Sequence, residues 1–186
     1  TTADQKTDPS QPSLKQRYLQ LLLLIIGSGT IYPVVYMRQH LERSMLATFD
    51  ITRAQLGECH SILGIVFFLT YLPSGWLSDK LPTRWLMSLS MAGTGFLALW
   101  LSTVPDFAQI KLIFIGWGIT SGLTLWGALI KGTSLLAPHD QQGRFFGLLE
   151  SGRGLVEALL ASIGLAVFAY FLNSVGTGTS GSLTAV

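Results

Sequence analysis

Four ionisable residues stand in or beside long apolar runs of this chain: Lys131, Glu150, Arg153 and Glu157. A charge at the centre of a hydrocarbon layer costs about 2.5–3.5 kcal/mol on insertion scales, so each needs a partner, a wet cavity or a ligand. At about 100° per residue, Glu150, Arg153 and Glu157 fall within about 60° of one another on a helix. Ala161 and Gly164 continue that stripe with small side chains. Thr120, Thr124, Gly127 and Lys131 form a second helical stripe, and Lys131 and Glu150 stand at similar depth on either side of a short connection, so a pair between them is expected. Tyr32 and Tyr36 share a face with Ser28 and line the same expected cavity, on a helix that Pro33 kinks. Two kinds of chemistry fit these groups. One is solute binding or proton carriage, with Glu157 near mid-depth at about 16 Å into its helix. The other is a neutral network of two bases and two acids that only fixes helix packing.

The elements that must position these residues are visible as gaps in the charge pattern. Uncharged stretches cover 20 residues at 18–37, 20 at 59–78, 21 at 85–105 and 19 at 112–130. A helix needs about 20 apolar residues to cross a bilayer core. Membrane spans are therefore expected at about 18–37, 57–78, 85–105, 111–136 and 146–172, the last carrying Glu150, Arg153 and Glu157 in its first half. The apolar windows lack the period-2 alternation of a membrane barrel, and open strands in lipid leave backbone groups unpaired, so the expected class is all-α. Residues 1–17 read as a polar, disordered cytoplasmic tail, and 173–186, rich in Gly, Ser and Thr, as an external loop at a truncated end. With the N-terminus inside, Lys6, Lys15, Arg17, Lys80, Arg84 and Arg144 are cytoplasmic and Arg38, Arg43, Arg53 and Lys111 external, which leans the way the positive-inside rule requires.

Composition removes several function classes. Charged residues are 12% of the chain, about half the usual share for a soluble domain, and apolar types are 49%. A net charge of +2 offers no basic stripe for nucleic acid. Cys59 is the only cysteine, and His40, His60 and His139 are scattered without ligand spacing, so no metal site is expected. Gly116, Gly118 and Gly122 imitate a dinucleotide fingerprint inside an apolar span; Gly118 and Gly122 read better as a small-residue packing face. No nucleotide or other cofactor motif and no Gly-x-Ser-x-Gly elbow occurs, so an enzyme is not expected.

The connection between the second and third spans reads Gly75-Trp-Leu-Ser-Asp79-Lys80-Leu-Pro82-Thr83-Arg84. It resembles the loop signature of the major facilitator superfamily, G-x-x-x-D-R/K-x-G-R-R/K, with Pro82 and Thr83 departing from it. Gly143-Arg144-Phe-Phe-Gly147, between the fourth and fifth spans, is similar to a second loop of that family. The resemblance implies a twelve-helix transporter of which this chain supplies five helices of the first six-helix half. A missing C-terminal half would complete the central site. It further implies a cytoplasmic gate of Gly75, Asp79, Lys80 and Arg84, with Gly75 permitting close packing and Arg84 reaching Asp140, near Arg144. The run 142–157 resembles a bacterial branch distantly related to organophosphate:phosphate antiporters, which implies an anion-binding arginine late in the first helix; Arg38 is the candidate. The expected function is secondary active transport of a small polar solute, anionic on this resemblance, across the bacterial inner membrane by alternating access. The alternative is a transporter-like sensor that binds a solute and signals to a partner.

Overall fold

The structure, a computed structural model, describes residues 13–180, with side chains as far as Phe171. Residues 1–12 of the expected tail and 181–186 of the expected loop lie outside the described residues. Helix α1, Leu14–Val35, opens on a capping box. Ser13 Oγ accepts from the Gln16 N–H at 3.4 Å and Gln16 Oε1 from the Ser13 N–H at 2.9 Å. Residues 14–17, expected in the tail, are thus the first turn of α1. Pro33 lacks an N–H and sits two residues before the helix ends.

A short helix, α2, Arg38–Phe49, fills a connection for which the sequence suggested no element. Its Glu42 accepts from Arg38 at 3.3 Å and from Arg53 at 2.8 Å, which ties α2 to the start of the next helix. Asp50, in the left-handed region at φ 50°, closes α2. Thr52 and Gln55 then form the capping box of α3, Arg53–Lys80. The chain leaves α3 at an extended Leu81, and α4 follows as Thr83–Leu101. The third expected span ran to 105, but Val104 holds a positive φ of 53° next to Pro105, whose ring disfavours helical geometry before it.

Asp106 accepts from the Gln109 N–H at 2.8 Å and starts α5, Phe107–Trp117. This helix passes directly into a π-helical segment, Gly118–Leu125, and then into α6, Trp126–Leu136. After a 3₁₀ turn at His139–Gln141 comes α7, Gln142–Ser180. Helix α7 therefore continues through residues 173–180, where an external loop was expected.

Four helical rods, Leu14–Phe49, Arg53–Lys80, Phe107–Leu136 and His139–Phe171, are long and apolar enough to cross a membrane. Helix α4, which carries Arg84 in its first turn, adds a fifth helix of 19 residues, about 28 Å at helical rise. No strand occurs among the described residues. The rod from α5 to α6 is the core: Ile110, Ile113, Phe114, Trp117, Leu125, Ala128 and Leu129 are all buried. Helix α3 packs along one side of it, α4 along another, and α1 bridges to α7 at the edge.

Candidate functional site

The α5–α6 rod runs parallel to α3 in a register offset of 53 residues: Lys111 meets Glu58 at 3.3 Å, the Gly127 N–H donates to Ser74 Oγ at 3.0 Å, and Lys131 Nζ donates to the Ser78 carbonyl. Gly127 makes the approach possible, because a Cβ there would lie 2.5 Å from the Ser74 carbonyl oxygen. Gly118 and Gly122 face Val66, Phe67 and Thr70 of α3, as a small-residue packing face requires. The π segment changes the expected stripe. Each residue it inserts rotates the rest of the helix by about 100° in projection. Thr120 accordingly faces α4, where its hydroxyl lies 3.2 Å from that of Thr94, while Gly127 and Lys131 face α3. Thr124 is buried and returns its hydroxyl to the Thr120 carbonyl.

This register delivers Trp126 to the middle of an aromatic cluster. Tyr32 meets it edge-on at 6.2 Å and stacks on Tyr36 at 5.4 Å. Tyr71 of α3 lies 6.4 Å from Trp126. Against this surface α7 places Arg153, its guanidinium carbon 4.3 Å from the Tyr32 ring centre and 5.9 Å from that of Trp126. Such cation–π contacts strengthen when water is excluded. Arg153 Nη2 donates to Glu150 at 2.6 Å, and its Nε–H is buried with no partner. Glu157 lies one turn further along α7, within electrostatic reach of both Arg153 and Tyr36. Helix α7 can come this close because Gly29 of α1 offers no Cβ; one there would lie 2.7 Å from Val156 and 3.1 Å from the Arg153 carbonyl.

Depth can be counted along the helices. At 1.5 Å per residue, Tyr71, Trp126 and Arg153 lie about 14, 15 and 16 Å from Lys80, Leu136 and Gln142, which mark one end of the bundle. That is half of a roughly 30 Å hydrocarbon core. The cluster therefore lies about 14–16 Å inside that end of the bundle.

Of the expected residues, Tyr32, Tyr36, Glu150, Arg153 and Glu157 come together. Lys131 does not pair with Glu150. Its helix is turned towards α3, where the chain leaves the helix at Leu81 and Pro82 has no N–H, so the Ser78 carbonyl lacks an in-helix donor. Lys131 supplies one, at the negative end of the α3 dipole. Arg38 opens α2 and is held by Glu42, apart from the aromatic cluster. At the loop signature, a Cβ on Gly75 would meet nothing within 4 Å, so the close approach expected there occurs one residue earlier, at Ser74. Asp79 is exposed, and Lys80 lies 4.0 Å over the Trp76 ring. Arg84, Asp140 and Arg144 are exposed, and among the described residues no ion pair joins Arg84 to Asp140. Arg84 instead borders a groove of about 580 Å³ between α1, α4 and α6.

Sequence reasoning missed Trp126, Tyr71 and Ser74. Trp126 stands five residues before Lys131, and Ser74 and Ser78 repeat the four-residue step of Gly127 and Lys131, so the matching spacings were the signal available.

Comparison with known proteins bears on what such a bundle does. The profile of the Major Facilitator Superfamily matches residues 18–184. Inner membrane protein YihN of Escherichia coli (strain K12) is 34% identical over 157 residues, 84% of this chain and 37% of that protein. Inner membrane protein YqcE of the same organism is 31% identical over 156 residues, again 84% and 37%. The uncharacterized protein MG294 homolog of Mycoplasma pneumoniae is 29% identical over 161 residues, 77% of this chain and 34% of that protein. The chain thus spans little more than a third of these curated relatives. No solved structure matches it.

Proposed function

Because the chain belongs to the major facilitator superfamily, we propose that it is the membrane part of a secondary transporter that carries a small anionic solute through the site at Arg153. The carrying observation is that guanidinium: well inside the bundle, laid across Tyr32 and Trp126, with one carboxylate partner and a buried Nε–H that has none. A planar cation on aromatic faces keeps its in-plane N–H groups directed sideways, the geometry that binds a carboxylate, phosphate or sulfonate. Tyr71 and Trp126 also offer flat apolar surface to the body of the solute.

Glu150 holds Arg153 while the site is empty, and Glu157 supplies a carboxylate beside it that carries the coupling proton. A second half of the protein closes the other side of the cavity, and the halves rock about the solute to alternate access. The protein sits in the inner membrane, as the names of its relatives describe for them, with its N-terminus in the cytoplasm and Asp79, Lys80, Arg84, Asp140 and Arg144 at the inner gate.

The test is uptake by the full-length protein in liposomes, with a panel of small radiolabelled carboxylates, phosphate esters and sulfonates. Arg153→Gln should lower uptake of the transported solute at least about tenfold, with Arg153→Lys recovering only part because a point charge does not replace a planar fork. Wild-type uptake by Arg153→Gln would remove the arginine from the site. Binding of a solute with no uptake would make the protein a sensor rather than a carrier.

A further inference from the structure

A groove of about 360 Å³ runs between α3 and α6, lined by Tyr71, Ser74, Ser78, Trp126, Lys131 and Ser134 among others. Tyr71 and Trp126 belong both to this groove and to the aromatic cluster, so the two are continuous. Lys131 is the cation in its wall. It stands five residues beyond Trp126, about 8 Å closer to the end of the bundle where α6 finishes. Its ammonium has three donors. One goes to the Ser78 carbonyl, and no carboxylate lies within 4 Å of Nζ among the described residues. An ammonium held by one neutral acceptor keeps two N–H donors without a protein partner.

The hydroxyls around it are arranged unequally. Ser78 donates its proton to the Gly75 carbonyl and Ser134 donates to that of Lys131, so neither is free to donate elsewhere. Ser74 accepts from the Gly127 N–H and keeps its own proton. Two ammonium N–H groups and the Ser74 O–H are thus left for acceptors in the groove. Asp79 borders the groove as well, but it makes no ion pair with Lys131.

We propose that this groove is a second anion subsite, centred on Lys131 Nζ and the Ser74 hydroxyl, which takes the anionic head of a solute between the Arg153 site and the inner end of the bundle. This rests on the reading of Arg153 as the central anion site. A cation in the groove and another on the aromatic cluster that continues it let the anion be handed on while remaining paired, so that no step leaves it bare in a low dielectric.

The experiment is footprinting of the full-length protein in nanodiscs. Acetylation of Lys131 by acetic anhydride is followed by mass spectrometry, with inorganic phosphate, methanesulfonate or acetate replacing chloride at constant ionic strength. At least one of these anions should slow acetylation of Lys131 about threefold or more, with exposed Lys80 unchanged as the internal control. The same protection should persist in Arg153→Gln. Ser74→Ala, which keeps the small size at the Gly127 contact, should weaken it. A Lys131 rate unchanged from that in chloride with every one of the three anions, or slowing that Lys80 shares, would overturn the subsite and leave Lys131 a packing bond to Ser78. Protection of Lys131 together with normal uptake by Arg153→Gln would keep the subsite and remove the central one; lost uptake with an unprotected Lys131 would do the reverse.

Discussion

The α3–α6 wall and the α1–α7 pair are both close helix contacts, yet they are built from different chemistry. Along the wall, small residues face each other at a fixed register and the backbone itself bonds across, from the Gly127 N–H to Ser74. At the α1–α7 contact, Gly29 and Gly152 also admit their neighbours closely, but the polar content is a guanidinium on an aromatic face with a carboxylate on its own helix. Parting the wall breaks the bond from the Gly127 N–H to Ser74, whereas Arg153 and Glu150 sit on one helix and keep their own bond when α1 and α7 part. Burial points the same way. In the most apolar 18-residue windows, 56% of the α5–α6 rod is buried against 0% of α7, so α7 lies at the edge of these helices and the rod at their centre. The groups proposed for the central anion thus stand at the α1–α7 contact, beside a wall whose register is held by bonds from one helix to the other.

Three substitutions sharpen or break that contrast. The largest effect is expected at the wall. Gly127→Leu drives a side chain into the Ser74 backbone, which cannot give as a flexible side chain would. It should cost about 2 kcal/mol or more by the usual scale of overpacking, seen as a lowered melting temperature in detergent together with lost uptake. Wild-type melting would show that the wall yields and that the contrast is false.

At the α1–α7 contact, function should be lost without stability. Glu157→Gln keeps shape and hydrogen bonding but removes the charge beside Arg153. The variant should insert and melt like the wild type, and gradient-driven accumulation should vanish while solute binding persists. Normal accumulation across the whole pH range would reduce Glu157 to a packing residue and end the proton-coupling reading.

The smallest effect is expected one residue from the wall. Gly75→Ala adds a methyl where nothing stands within 4 Å. Its melting temperature should correspond to a change within about 0.5 kcal/mol, as for surface sites generally. A large loss would mean that Gly75 is packed against a surface outside the described helices, as the loop signature implies for the gate.

Much of the bundle was legible in the chain, because what marks a span is local. The lengths free of charge at 18–37, 59–78, 85–105 and 112–130 answer to the thickness of a bilayer, and no neighbour is needed to read them. The grouping of Glu150, Arg153 and Glu157 was legible for the same reason: one regular helix carries all three. The family could be read from residues contiguous across the end of α3 and the start of α4. Tertiary structure decided the rest. Lys131 turned to Ser78 and not to Glu150, Thr124 away from Gly127, and Trp126 into the site, because the π segment inside the fourth span resets the rotation of everything after it. Arg38 left the first helix because α1 breaks after Val35 and α2 begins. Helix period and hydropathy are sums over neighbours in the chain. The rotation of one helix against another is set by which side chains fit between them, and that information is divided between segments some 50 residues apart.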